Sequence, residues 1–308
     1  MSKPPSSTEI QSLFVNRNPD EVWAKAEDII RRINPAHDFA LARMVFDDTV
    51  RMFHGKYPGY CSIKTLYHDL SHTMDVFMCA SRLMHGMHVS GTPLADHEIN
   101  MIMIAALLHD IGYVQRQGEE TGTGAQYTAS HVSRGIAFMQ HYLTERQIPP
   151  GFAANIELMM LSTDPKLVFS EISFPDARTR LLAKIVGTSD LVGQMADRSY
   201  LEKLLFLYLE FKEANIGNFQ NIHDMLRKSI GFYEVTRAQK LDEAFEGIYS
   251  KLAFHFKEFF GVAQNYYLDA IEKNMAYLSK IISLNEEEYL SMLKRGGIAE
   301  KAQTLDES

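Results

Sequence analysis

Four side chains in this sequence have the chemistry to hold a divalent cation: His72, His109, Asp110 and Asp190. Imidazole nitrogens and carboxylate oxygens form a mixed donor set that suits Mn, Fe, Ni, Zn or Mg. His-Asp dipeptides occur at His37-Asp38, His68-Asp69, His109-Asp110 and His223-Asp224, so the dipeptide alone says little. Only His109-Asp110 closes an apolar run, Met101 to Leu108, where an ionisable pair facing a core is costly unless it is paired or bound to a cation. Taken alone, the pair is also explained by His109 capping the helix end with Asp110 bonded to it.

A second cluster runs from Tyr67 to Val76, with His68, His72 and Asp75 at i, i+4 and i+7. On a helix these share a face. Two imidazoles one turn apart serve as two ligands, or as one ligand and one acid, with Asp75 fixing the tautomer of His72. The plainer reading is a set of surface histidines. Asp190 follows Leu182 and Val186 at helical spacing, which places a carboxylate on an apolar stripe. It wants a cation there, or hydrogen bonds from backbone or Arg198.

Helices must position these groups. Apolar residues recur at helical spacing almost throughout, and alternating β-branched runs are nearly absent, which predicts an all-α protein. One helix opens at Thr92-Pro93 and stops near Gly112; another runs from near Thr65 to Gly91; a third opens at Thr128 or Ser130 and a fourth at Pro175. Gly118 to Gly124 reads as a flexible polar loop bordering a substrate entrance. Beyond Tyr200 lie further amphipathic helices, one through Leu204, Leu205, Leu207 and Phe211, another through Phe245, Ile248, Leu252, Phe256, Phe259 and Phe260. We expect a continuous helical body over residues 19–293, with weakly ordered ends at 1–18 and 294–308.

With 308 residues, 46% of them hydrophobic, the chain can bury a substantial core. A net charge of −8 gives no general attraction to a nucleic acid polymer or an anionic membrane. Any phosphate must therefore be met locally, by a metal or a few basic groups, which favours a small substrate. Met1 to Ser7 lacks the apolar core of a signal peptide and the longest aliphatic run is far short of a membrane span, so a cytoplasmic protein is expected. Cys61 and Cys79 are too few for a disulfide scaffold.

Together these elements resemble the HD-domain superfamily of metal-dependent phosphohydrolases, defined by a His, a His-Asp pair and a distal Asp in that order on helices. The resemblance spans roughly residues 60–215. The flanking words are similar to the cyclic-nucleotide phosphodiesterase branch: Tyr67-His68 before His72, Asp75-Val76 after it, Ser162-Thr163-Asp164, and Ser189-Asp190-Leu191. Two positions depart from that branch. Tyr113 stands where it carries a histidine three residues after the His-Asp pair, and its base-gripping glutamine has no clear counterpart after Tyr200. Many bacterial HD proteins instead carry a histidine on the next helix. His131 is placed like it, either as a ligand to a second ion, as a contact to substrate phosphate, or as a partly buried helix-start residue. Arg134, one turn on, is a second phosphate candidate or a surface arginine.

The resemblance implies a hydrolase of phosphoric esters, mono- or diesters, acting on a small phosphorylated substrate, nucleotides included, with one or two divalent ions. It implies that Asp110 bridges the ions and that His68 donates the proton to the leaving alcohol. A cyclic-nucleotide phosphodiesterase, an HD-fold diiron oxygenase with additional histidine ligands, and a non-catalytic HD-fold signalling module remain alternatives. The oligomeric state is open, a homo-oligomer included.

Overall fold

Short polar side chains mark where several helices of this chain begin. The structure, a computed structural model, describes residues 5–14 and 18–306, so part of each expected weakly ordered end lies outside the described residues. In chain order the helices are α1 (Ser7–Ser12), α2 (Pro19–Ile33), α3 (Ala40–Phe53), α4 (Leu70–Val89), α5 (Asp96–Leu108), α6 (His131–Glu145), α7 (Pro150–Leu161), α8 (Ala177–Ala196), α9 (Tyr200–Glu213), α10 (Ile222–Val235), α11 (Leu252–Phe260), α12 (Tyr266–Ile281), α13 (Glu286–Met292) and α14 (Ile298–Asp306). The fold is all-α: among the described residues the one β-type contact is an isolated bridge between Tyr60 and Arg116. No helix there is long and apolar enough to cross a membrane.

The core is built around α4, α5 and α8. Every residue of α4 from His72 to Met87 is buried, as are Ile99 and Met101 to Leu108 of α5. Helices apolar nearly all round need neighbours on every side, and α4 is packed by α2, α5, α8 and α11. Polar groups at the ends of such helices are carried into the interior with them.

Several boundaries differ from expectation. α4 starts at Leu70 rather than near Thr65, because the Asp69 carboxylate accepts the His72 N–H (2.8 Å) as an N-cap. His68 therefore lies in the turn before the helix and His72 in its first turn. α5 starts at Asp96, not at Thr92-Pro93; the Glu98 side chain reaches back to the Ala95 N–H (2.6 Å) and is gripped by Arg178 from α8. α8 opens at Ala177 under an Asp176 cap that accepts from Thr179 N–H. The stretch expected as one helix from Phe245 to Phe260 is broken. A π-helix, Thr236–Ala244, ends at Phe245, Glu246 and Gly247 take positive φ, and a 3₁₀ turn, Ile248–Lys251, precedes α11. At the C-terminal end, described through Asp306, α14 buries Ala299 and Ala302 and packs on α9, so this part of the tail is helical rather than weakly ordered. Near the other end Phe14 is buried edge-on against Tyr267.

The backbones of α6 and the turn after α5 touch. A Cβ built on Gly112 would lie 1.8 Å from the His131 carbonyl oxygen and 2.7 Å from Gly135 N. This contact sets His131 beside Asp110. Gly112→Ala is therefore expected to destabilise the fold by ~1–3 kcal/mol or more, the usual cost of overpacking, read as a lower denaturant midpoint. An unchanged midpoint would show that the contact is not as tight as described.

Candidate functional site

His72 comes from the first turn of α4, His109 from the end of α5, Asp110 from the turn that follows, and Asp190 from the middle of α8. Their polar atoms meet. The Nε2 atoms of His72 and His109 face each other at 3.2 Å, and Asp110 Oδ2 lies 3.1 Å from both. Asp190 Oδ1 approaches the same two nitrogens at 3.4 and 3.7 Å. His109 Nδ1 donates to the Ala106 carbonyl (2.9 Å), which leaves a lone pair on Nε2 when the ring is neutral.

All four groups are buried, and Asp110 Oδ2 receives no hydrogen bond of good geometry. Lone pairs crowded this closely require protons or a cation among them. Without a cation, burial opposes charging of His72, but Asp110 and Asp190 outweigh it and push its pKa up to about 10. The donor set and the orphaned oxygen fit a divalent ion equally well. His72, His109 and Asp110 each offer one ligand atom, all within 4.8 Å of one another.

The other oxygen of Asp110 points elsewhere. Asp110 Oδ1 lies 3.5 Å from His131 Nε2, and His131 Nδ1 donates to the Thr128 carbonyl (2.8 Å). Burial pushes the His131 pKa down, which favours a neutral ring with its Nε2 lone pair toward Asp110. Tyr113 fills the space between His131 and His68, stacked on each with ring centroids 4.7 Å apart. Beyond His68, His72 and His109, His131 is the one further imidazole beside Asp110 among the described residues.

His68 has a partner that the sequence reading missed. Its Nδ1 bonds Glu210 Oε2 (2.6 Å), while Glu210 Oε1 accepts the N–H groups of Tyr67 (2.6 Å) and His68 (3.4 Å). Glu210 lies on α9, 2% exposed, well beyond the motif words. A glutamate among the apolar positions of α9 was the available signal, though Glu202 shares it. Burial alone would lower the His68 pKa, but Glu210 and Asp110 reverse this and raise it. Gln194 is the other link, accepting from Tyr67 Oη (2.6 Å) and approaching Asp190 Oδ1 (3.4 Å).

Arg134 does not serve as expected. Its guanidinium bonds the carbonyls of Gly112 and Val114 (both 2.9 Å) and stacks on Tyr127, and it does not line the cavity at the site. It ties α6 to the turn that carries Asp110. The Gly118–Gly124 loop also stays away from the cavity, held through Thr123 to Glu213 on α9. In the other His-Asp dipeptides His37 pairs with Asp96, Asp69 caps α4 after His68, and His223 bonds the Ile282 carbonyl.

A cavity of about 270 Å³ opens onto the cluster. His68, His72, Asp110, His131 and Asp190 reach it at one end, and Leu207, Phe211, Phe219 and Phe232 line the other, with Lys166 and Lys228 among its walls.

The fold is phosphodiesterase-like. The chain is similar in structure to the phosphodiesterase domain of the RhoPDE fusion protein from the choanoflagellate Salpingoeca rosetta, with a TM-score of 0.51 and 16% sequence identity over 91% of this chain and 92% of that one. A family model described as Npun_R2479-like matches residues 117–249, a span that holds His131, Asp190 and Glu210. No curated protein matches the sequence.

Proposed function

We propose that this protein is a metal-dependent hydrolase of phosphoric esters of the HD type, acting on a small phosphorylated substrate, and that His72, His109, Asp110 and Asp190 hold the metal. The convergence of these four side chains from three helices and a turn carries the reading. A bound divalent cation would supply an activated water and the charge that polarises the phosphoryl oxygen. The protein's own groups do the rest. Asp110, with one oxygen on the cluster and the other toward His131, would hold the cation through Oδ2 and orient water through Oδ1. His68 sits at the mouth of the cluster, its ring held by Glu210, and donates its proton to the departing alcohol oxygen. The similar fold of a phosphodiesterase domain supports a diester as substrate.

The test is elemental analysis of the purified protein, followed by a screen of nucleotides, cyclic nucleotides and small phosphomonoesters with each candidate metal. Bound metal with hydrolysis of at least one class is the expected result. A metal-free protein inert toward all of them, with every candidate metal supplied, would overturn the reading.

The His68 and Glu210 pair predicts a pH signature. Donation requires protonated His68, so turnover falls as pH rises through its pKa. The neighbouring carboxylates hold that pKa above its ordinary value of 6.5, and Glu210→Gln removes the closest of them. The alkaline limb of the kcat profile should move to lower pH, with metal content unchanged. A limb that stays in place would remove Glu210 from this role.

A further inference from the structure

A second cavity, of about 360 Å³, lies between α2, α4 and α11. It is within the size range of small-molecule sites, and its walls are largely apolar, from Leu13, Ile29, Met78, Phe259 and Phe260. Arg82 and His255 are set into this surface although they are only 4% and 3% exposed. Arg82 follows His72 by ten residues on the same helix, about 15 Å along its axis at ~1.5 Å per residue. None of the cluster residues lines this cavity.

Arg82 is unusual for a buried arginine. Among the described residues no carboxylate lies within ion-pair distance of it. Both of its hydrogen bonds, to the Leu13 carbonyl (3.0 Å) and to Tyr267 Oη (2.6 Å), leave from Nη1. The Nε and Nη2 edge, the fork that fits a carboxylate bidentately, makes none with the described residues. The cavity lining holds two cations, Arg82 and Lys25, against one carboxylate, Asp28. Asp28 is engaged by Arg32 (3.3 Å), whose guanidinium lies over Phe259. His255 Nδ1 faces His85 Nδ1 at 3.3 Å. Burial lowers the pKa of both rings, that of His85 to about 4, so neither brings a charge and one ring's N–H bonds the other. His88 follows on the same helix, buried at Nδ1 without a partner. A buried guanidinium with no direct ion pair among the described residues is costly, and an anion entering the cavity would reduce that cost.

We propose that this cavity binds a monoanionic carboxylate on an apolar body. Arg82 takes the carboxylate through its Nε and Nη2 edge, and Ile29, Met78 and Phe259 enclose the apolar part. One unpaired buried guanidinium balances one charge, which favours a carboxylate over a phosphate dianion.

The test is calorimetric titration of the full-length protein with decanoate and 2-naphthoate, which separate a chain-like from a flat apolar body, and with decanol and inorganic phosphate as controls. At least one carboxylate should bind at one equivalent, with decanol and phosphate weaker by about tenfold or more, as expected for loss of a charge-assisted pair or of the apolar contact. Arg82→Gln, checked for folding by circular dichroism, should weaken the carboxylate by a similar factor. Ala24→Trp, at an exposed position on the cavity wall, should do so without touching the core, and decides the matter if Arg82→Gln fails to fold. Asp110→Ala should leave binding unchanged, which separates this cavity from the one at the metal cluster. The proposal falls if no carboxylate binds, if decanol or phosphate binds as well, if Ala24→Trp leaves the affinity unchanged, or if Asp110→Ala abolishes binding.

Discussion

Asp110→Ala should reduce bound metal to background and hydrolysis to an undetectable rate while leaving the helical content intact. The expectation rests on position. Asp110 Oδ2 is 3.1 Å from both facing imidazoles, and Oδ1 lies 3.5 Å from His131 Nε2. Removing the side chain takes a ligand from the cluster and the one bridge toward His131 in the same step. It also leaves two imidazoles crowded against Asp190 alone. Elemental analysis and turnover, measured on the same preparation, give the result directly. Full activity in this variant would place the chemistry somewhere other than this cluster.

His68→Ala and His72→Ala should fail in different ways. If His72 is a ligand and His68 the proton donor, His68→Ala keeps its metal and loses about 10²- to 10⁴-fold in turnover, the usual contribution of a positioned acid. His72→Ala loses the metal. The geometry makes the separation sharp: His72 Nε2 faces the cluster, whereas the His68 ring is held outside it by Glu210 and lies against Tyr113. The deficit of His68→Ala should also shrink for nitrophenyl esters, because nitrophenolate departs without protonation. An equal deficit for alkyl and nitrophenyl esters, or loss of metal from His68→Ala, would reverse the two assignments.

Much of this molecule was legible in the chain because it depends on local order. Apolar periodicity repeated over most of the sequence leads to an all-α fold, and the unbroken apolar run before His109-Asp110 leads to a pair delivered to the interior by a buried helix. The order of His72, the pair and Asp190 could be read for the same reason, each residue lying on or at the end of a helix whose buried face the neighbouring residues reveal. Boundaries were less legible. The carboxylate of Asp69 rather than the run of apolar residues decides where α4 begins, and this moves His68 off the helix. Partners distant in the chain were not legible at all. Glu210 reaches His68 across 142 positions, and its role exists only because α9 passes the entry to α4. Arg134 was assigned to phosphate from its spacing, yet it is consumed by the Gly112 and Val114 carbonyls once α6 presses on Gly112. Spacing along one helix limits which side chains share a face. Which carbonyl or carboxylate meets them is decided only when another helix crosses, since buried hydrogen-bonding groups take whichever partner the packing brings within about 3 Å.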